Sequence, residues 1–500
     1  MSESTGATDV LTRMDERIPT SFYWKLTLLA TVGGFLFGYD TANIGSVLGF
    51  VPYEMSDLVT GYLVAGASLG AAAGALSAGP LTDRFGRKSL LVVDAGIYAA
   101  GALLSAVAWN VGTLLVARTL IGLAVGADSA IATAYIAEYA PRGRRGALSM
   151  LQQWMITVGI LVAYLVALLI FRTMPQHAYG LDWRLILGLG AVPAILALVL
   201  RTRMPESPRW LLRHGRFDDA RKAVAMLGIE VSDEEIRARA HEIIHPAGEP
   251  ESTEAQPLRR GRHWTRGVQR ALMVVVVFFI FQQITGINVP FYYGPEILEP
   301  YFGGGGESRL ESTTTAIEAT TIMSAVNVAA TYFAFRFIDR IGRRWLAMGG
   351  FAGMAISMLI GAFGDGMLSD VAKVLVVVTA LNLFIVSFAV GVGGTGWLIQ
   401  GEVFPTAVRG SAAALGATAD WLANFALILV FPLWVSAIGL SWVMVCFAAL
   451  CGMAVLFVAA YLPETKGLSV EAITRVFERA AASGILMPFV RSAAAKEADH

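Results

Sequence analysis

Two residues of opposite charge stand inside long apolar stretches of this sequence, where an isolated charge is costly. Asp40 lies about sixteen residues, or roughly 24 Å along a helix, into the apolar run at 24–48. Arg118 lies near the beginning of the run at 112–137. A carboxylate facing a guanidinium keeps its negative charge, whereas a dry and unpaired carboxylate takes up a proton. The pair could therefore bind and release a proton as its geometry changes, although a static buried ion pair would use the same residues.

Amides and aromatic rings in separate apolar runs could together bind a molecule that carries several hydroxyl groups. An amide offers both a donor and an acceptor to neighbouring hydroxyls, and a ring can stack on the apolar face of a pyranose. Each amide alone could equally be a hydrogen bond between helices. The candidates for this site are Gln153, Gln282, Gln283, Asn288, Asn327, Trp397 and Trp421, with Phe37 and Tyr292 completing the aromatic wall.

Two further acids, Asp128 and Asp420, also lie within apolar runs. For Asp128, a bond to a serine, threonine or backbone group of a neighbouring helix and a role in proton coupling are equally good interpretations. Asp420 directly precedes Trp421, so we include it among the binding residues. It could accept bonds from sugar hydroxyls, titrate, or contact a cationic group.

The elements that position these residues are predicted to be twelve membrane-spanning helices. The chain is 56% hydrophobic and only 15% charged, against roughly 25% charged residues in soluble domains. A bilayer span needs about 20 apolar residues, and runs of this length recur along the chain. They lie at 24–48, 57–79, 89–108, 112–137, 147–171 and 184–201, and then at 269–298, 313–337, 345–363, 371–400, 407–433 and 439–461. The predicted fold is therefore all-α, with bundles at 24–201 and 269–461, a linker with short helices at 202–268, and terminal segments at 1–23 and 462–500.

Repeated motifs indicate that the second bundle duplicates the first. GPLTDRFGRK at 79–88 returns as FRFIDRIGRR at 335–344, and PESPR at 205–209 returns as PETKG at 463–467. Basic residues crowd the connections on the linker side, which predicts that the linker and both termini are cytoplasmic. Acidic and basic residues at these helix ends could form a cytoplasmic gate. The alternative is that the basic residues only anchor the helix ends at the cytoplasmic surface, but anchoring would not require the acidic residues. The predicted gate residues are Asp83, Arg87, Glu138, Arg145, Glu206, Asp339, Arg343, Glu402 and Arg409.

Taken in order, these motifs resemble those of sugar porters of the major facilitator superfamily. The resemblance runs from about residue 25 to 467 and rests on GGFLFGYD, DRFGRK, PESPRWLL, QQITGINVPFYY, DRIGRR, EVFPTAVRG and PETKG. It implies two six-helix bundles that rock about a central sugar site, and it places the candidate amides and tryptophans at sugar-contacting positions. It also implies proton symport, because coupled relatives carry Asp where Asp40 stands. Asp420 departs from the family pattern, which has an amide before this tryptophan.

The sequence therefore predicts a proton-coupled importer of a monosaccharide or polyol in the cell membrane, functional as a monomer, with no cofactor other than the proton. The alternatives are a passive sugar facilitator, a proton-coupled carrier of another small organic solute and, with less support, a nutrient receptor. Zero net charge argues against nucleic acid as a partner. No metal-ligand spacing or nucleophile motif indicates an enzyme.

Overall fold

The computed structural model describes residues 21–139, 145–226, 235, 264–302, 308–368, 370–466, 468 and 470–483. Within these ranges the secondary structure is helical, with no strand. The predicted gate residues Glu138, Arg145 and Asp339 lie on helices, but their side chains are outside the described part of the chain.

Within the described residues, twelve helical spans form the body of the protein, as predicted. We label them α1–α12; α6, α7 and α10 each consist of several helical pieces. The first six are α1 (Ser21–Val47), α2 (Asp57–Phe85), α3 (Arg87–Ala106), α4 (Val111–Tyr139), α5 (Arg145–Thr173) and α6 (Pro175–Arg201). The next three are α7 (Arg266–Ile284, Val289–Tyr292 and Gly294–Phe302), α8 (Arg309–Ile341) and α9 (Arg343–Met367). The last three are α10 (Asp370–Phe388, Ala389–Gly393 and Thr395–Val403), α11 (Thr406–Ile438) and α12 (Leu440–Tyr461).

Several helices extend beyond the apolar runs that predicted them. Helix α2 continues to Phe85 and α8 runs from Arg309 to Ile341, so both include charged turns. Apolarity locates the bilayer-facing part of a helix, whereas backbone hydrogen bonding continues into water. Within the predicted linker the structure describes the short helices Pro208–Arg213 and Phe217–Met226.

The seventh span is broken into separate helical pieces. Its first piece ends at Ile284, and Gly286 adopts a φ of 93°, a backbone conformation that residues with a Cβ rarely adopt. Pro290 then lies at the beginning of the next piece. The tenth span also departs from regular geometry, through a π-helical turn at Ala389–Gly393. The two irregular segments meet, because Gln282 Nε2 lies 3.5 Å from the carbonyl oxygen of Gly393.

The two halves contact each other most extensively along two helix pairs, α2 with α11 and α5 with α8, and α7 also contacts α1. Hydrogen bonds also join the halves on the side away from the linker. Tyr164 donates to the carbonyl oxygen of Phe291 at 2.6 Å, and Ser436 donates to Asp57 at 3.4 Å. The halves are therefore joined at this end, which we call the far side.

Candidate functional site

Asp40 and Arg118, which the sequence singled out, form a buried ion pair. Arg118 Nη1 contacts Asp40 Oδ1, and both side chains are almost completely shielded from solvent. Arg118 also donates through Nε to the carbonyl oxygen of Leu63 at 3.1 Å, which anchors the guanidinium to α2. Asp40 Oδ2 has no hydrogen-bond partner among the described residues. One oxygen of Asp40 is thus paired, and the other is available for a proton or a new contact.

A residue of the second half lies beside this ion pair. Tyr292 on α7 is fully buried and lies close enough to Asp40 and Arg118 to interact with both charges. Its hydroxyl neighbours Thr41 and Ser68 but makes no hydrogen bond of good geometry with a described residue. Tyr292 of α7 is therefore within electrostatic range of the charge on Asp40.

A chain of side-chain hydrogen bonds connects α7, α11 and α2. Gln283 Nε2 donates to Asp420 Oδ1 at 2.8 Å, and Asn288 Nδ2 donates to Gln283 Oε1 at 2.9 Å. Asn288 Nδ2 also lies 3.2 Å from Asn424 Oδ1, and Asn424 Nδ2 donates to Ser68 Oγ at 2.9 Å. We call this set of five residues the amide chain. It brings together three of the predicted binding residues and ends on the other half of the protein.

Sequence reasoning missed Asn424 and Ser68, the two residues that carry the amide chain across the interface. Asn424 stands one helical turn after Asp420, so the i, i+4 spacing within an apolar run was the signal that could have found it. Ser68 gave no such signal. It is a serine among alanines and glycines, where small residues ordinarily serve helix packing.

The remaining predicted amides lie outside this chain. Gln282 faces α10, and its Oε1 atom is buried without a partner in the described structure. Asn327 accepts a bond of 3.4 Å from Thr331 one turn later on α8. Gln153 is half-buried on α5 and forms no hydrogen bond with a described residue.

Neighbours of Gln153 and Asn327 nevertheless place the two residues at one level. Trp154 Nε1 donates to the carbonyl oxygen of Val328 at 3.3 Å, across the interface of the halves. Each of these residues directly follows one of the predicted amides, so Gln153 and Asn327 lie at the same level of the α5–α8 interface.

The predicted aromatic residues form contacts between and within the halves. The rings of Phe37 on α1 and Trp421 on α11 meet edge to face, with centroids 4.9 Å apart. Trp397 packs on Phe279 at the same centroid distance. Trp421 Nε1 is buried without a hydrogen-bond partner among the described residues. A buried indole N–H usually finds an acceptor, so this atom is available to a ligand hydroxyl.

At the linker side, the described gate residues bind partners within their own half. Glu206 accepts the backbone N–H of Arg87 at 2.9 Å, and Glu464 accepts that of Arg343 at the same distance. Each carboxylate therefore covers the first turn of a helix, α3 or α9, where the backbone N–H groups lack partners. Side-chain bonds add to each cluster.

In the first cluster, Arg87 lies 3.5 Å from Asp83. In the second, Arg343 donates to Glu402 at 2.8 Å, and Arg409 donates to the carbonyl oxygen of Phe404 at 3.1 Å. The equivalent use of Glu206 and Glu464 agrees with the duplication seen in the motifs.

Of the two interpretations of Asp128, the bond to a serine, threonine or backbone group is wrong among the described residues, and the role in proton coupling stays a prediction. Arg201 Nη1 on α6 lies 2.5 Å from Asp128 Oδ1 and 3.3 Å from Asp94 Oδ1 on α3. Sequence reasoning singled out Asp128 but missed Asp94 and Arg201. Asp94 lies within the apolar run at 89–108, so an acid inside an apolar run was the signal that could have found it. Helix packing turns both Asp94 and Arg201 inward.

Comparisons with known proteins agree with this architecture. The family model described as "Sugar (and other) transporter" matches residues 26–477. The glucose transporter GlcP of Staphylococcus epidermidis is 34% identical, over 90% of this chain and 96% of its own length. The arabinose-proton symporter of Bacillus subtilis is 30% identical, over 93% of this chain and 98% of its own length.

Solved structures show the same fold. A partially occluded, inward open conformation of the xylose transporter XylE from E. coli matches with a TM-score of 0.75 and 28% identity. The match covers 90% of this chain and 100% of that one. The chain therefore belongs to the sugar porter family of the major facilitator superfamily, and it is a multi-pass integral membrane sugar transporter and not an enzyme.

Proposed function

We propose that this transporter imports a monosaccharide or a related polyol together with a proton, by alternating access. The observation that carries the proposal is the burial of Asp40 opposite Arg118 and beside Tyr292 of the other half. A carboxylate in this position keeps its charge while the guanidinium faces it, and takes up a proton when the two separate. Motion of α7 relative to α1 can therefore be linked to proton binding.

The amide chain supplies the matching link to the sugar. Gln283 and Asn288 each offer a donor and an acceptor to vicinal hydroxyls, and Trp421 offers a free indole N–H. A bound sugar would replace bonds within the amide chain, including those that lead to Ser68 on α2. Since α7 breaks at Gly286, its far-side piece can shift without moving its linker-side piece. Binding of the sugar and contact of α7 with Asp40 would thus be coupled.

Coupling gives a useful driving force. One charge that crosses 100 mV releases about 2.3 kcal/mol. At about 1.4 kcal/mol per decade, this corresponds to accumulation on the order of fortyfold per proton.

The orientation of the carrier, its oligomeric state and its coupling partner belong to the same proposal. The basic helix ends favour a cytoplasmic position for the linker side, and with it for both termini. The far side, where the halves are joined, would then face outward. The chain would work as a monomer in the lipid bilayer, and the proton would be its only coupling partner, with no cofactor.

The test is uptake into proteoliposomes of a panel of monosaccharides and polyols, with and without an imposed pH gradient. Asp40→Asn should abolish uphill accumulation but retain exchange of labelled sugar, because the amide is permanently neutral. Asp219→Asn, in the exposed linker helix, is the control and should accumulate normally. If Asp40→Asn still concentrates sugar, Asp40 is not the coupling residue.

One observation favours a second candidate, a proton-coupled carrier of another small organic solute. Asp420 places a carboxylate at one end of the amide chain, and only one of its oxygens bonds to Gln283. A solute with an amino group would find both a charge partner and hydroxyl-binding amides there. Including amino sugars in the uptake panel separates this candidate from neutral-sugar transport.

A further inference from the structure

A second cluster of charged residues lies inside the first half, apart from the Asp40–Arg118 pair and the amide chain. It consists of Asp94 on α3, Asp128 on α4 and Arg201 on α6, each at most 4% exposed. The cluster holds two acids and one base, so its formal net charge is one negative. A net charge at this depth, away from water and without a counter-ion, is strongly unfavourable.

The groups around the cluster do not supply the missing positive charge. A cavity of about 10 Å³ adjoins it, roughly the space of one water molecule, and all the lining residues belong to the first half. Besides the cluster, the titratable group that lines this cavity is Tyr98 on α3, whose hydroxyl donates to the carbonyl oxygen of Leu36 at 2.9 Å. From α1, the lining residues are the uncharged Gly33 and Leu36.

The geometry distinguishes the two acids. Arg201 lies closer to Asp128, which is therefore the better placed carboxylate. Asp94 Oδ1 accepts the backbone N–H of Ala95 at 2.8 Å, whereas its Oδ2 atom is buried without a partner among the described residues. Asp128 Oδ2 is in the same situation, and the two carboxyl groups are near neighbours. A hydrogen atom on Asp94 Oδ2 could bond to Asp128 and would make the cluster neutral.

We propose that this pair of acids binds one proton, at a site distinct from Asp40. Asp94 carries the proton and donates it in a hydrogen bond to Asp128. The cluster lies wholly within one half, between helices that the rocking of the halves leaves in place. The proton is therefore held throughout transport and stabilises the first half, whichever solute is carried. The reaction is a simple protonation: the Asp94 carboxylate takes up one proton from water and releases it at alkaline pH.

The site also reaches the helix that carries Asp40. A Cβ added to Gly33 on α1 would lie 1.3 Å from Asp128 Oδ2, so the acid lies directly against the backbone of α1. Loss of the proton would place an uncompensated charge against this helix. We therefore expect alkaline pH to loosen the packing of α1 on α4.

The direct test is infrared spectroscopy of the purified full chain, which detects the carbonyl stretch of a protonated carboxyl group. The wild type should show such a band at neutral pH and lose it on alkaline titration. Asp94→Asn and Asp128→Asn should each lack this titrating band, because either change leaves one acid opposite one base. Asp40→Asn should retain it. A wild-type spectrum with no band that these two substitutions remove would overturn the proposal.

Thermal unfolding across pH supplies a second, independent readout. Because the folded state holds a proton that the unfolded chain loses at the ordinary aspartate pKa of about 4, wild-type stability should fall above that pH, by up to tenfold in the folding equilibrium per pH unit. The fall should level off at the alkaline pH at which the folded protein also releases the proton. Asp94→Asn should lose this decline, because the amide does not titrate and leaves Asp128 alone opposite Arg201. The double substitution should melt lowest, because Arg201 is then unpaired. If sodium chloride protects the wild type at alkaline pH and N-methylglucamine chloride does not, the occupant is a metal cation and the proton assignment is wrong.

Discussion

Asn424 Nδ2 donates to Ser68 Oγ at 2.9 Å, and this bond joins the amide chain of the second half to α2 of the first. Ser68→Ala should favour opening of the far side, because Asn424 loses its partner across the interface. A hydrogen bond is worth about 0.5–1.5 kcal/mol, so the shift should reach about tenfold. Spin labels on Trp109→Cys and Met367→Cys, both exposed and in opposite halves, report the separation.

The control for this prediction is Ser77→Ala. Ser77 lies on the same helix but bonds to the backbone of Gly74 in its own turn, so its loss should leave the distance distribution unchanged. The labelled protein requires prior replacement of the free cysteines Cys446 and Cys451. An equal shift in both serine variants would show that the contact between Asn424 and Ser68 has no special part in closure.

Removing the basic partner of Asp40 should destabilise the protein more than removing both charges of the pair. Arg118→Ala leaves a buried carboxylate without its counter-ion, at a cost of about 3–5 kcal/mol in stability. Asp40→Asn combined with Arg118→Gln should be milder, because no charge is then buried. Thermal unfolding in detergent measures the difference, and a double variant less stable than Arg118→Ala would contradict it.

Gln283 links Asp420, at one end of the amide chain, to Asn288. Gln283→Ala should raise the half-saturation concentration for sugar up to about tenfold, the value of one lost hydrogen bond. Gln269→Ala, an exposed glutamine at the beginning of α7, is the matched control. An unchanged half-saturation concentration for Gln283→Ala in equilibrium-exchange assays would remove this residue from the binding site.

Asp420→Asn separates the two proposed substrates. The amide oxygen can still accept the bond from Gln283, so transport of a neutral sugar should persist within a fewfold of wild type. Transport of a solute with an amino group should fall sharply, since its charge partner is gone. Competition between the two solute classes for uptake measures this directly, and equal effects on both would argue against a charge-recognition role.

Glu206 and Glu464 should contribute equally to stability, because each accepts backbone N–H groups at the beginning of a helix in its own half. Hydrogen bonds to a charged group are worth about 1.5–3 kcal/mol, and replacement by Gln removes part of this. The two losses should add in the double variant, since the sites are in separate halves. Strong non-additivity in thermal unfolding would show instead that the two clusters interact.

Much of the architecture could be predicted because the membrane allows few alternatives. A backbone inside hydrocarbon must satisfy its own hydrogen bonds, so each long apolar run becomes a helix. Basic residues and repeated motifs then indicated topology and duplication. The break of α7 lies at Gly286 and Pro290, whose backbone preferences are local and readable in the sequence. The helix ends were less well predicted, because helical geometry continues where apolarity ends.

The binding residues were harder to predict, because their partners lie on other helices. The roles assigned to Gln153, Asn327 and the gate residues stay predictions, since uptake and not geometry tests them. Asp94 and Arg201 escaped notice because inward or outward orientation depends on the rotation of a helix about its own axis. Periodicity says little about that rotation when most faces are apolar.

By itself, the sequence determined that the chain crosses a bilayer twelve times in two related halves and that Asp40 and Arg118 are opposite charges within apolar runs. Composition and spacing carry this information, because solvation by lipid acts on each segment separately. Only the tertiary structure decided that Asn424 reaches Ser68, that Tyr292 lies beside Asp40, and that Arg201 is shared by Asp94 and Asp128. These contacts depend on how helices from distant parts of the chain rotate and pack against one another, which no single segment encodes.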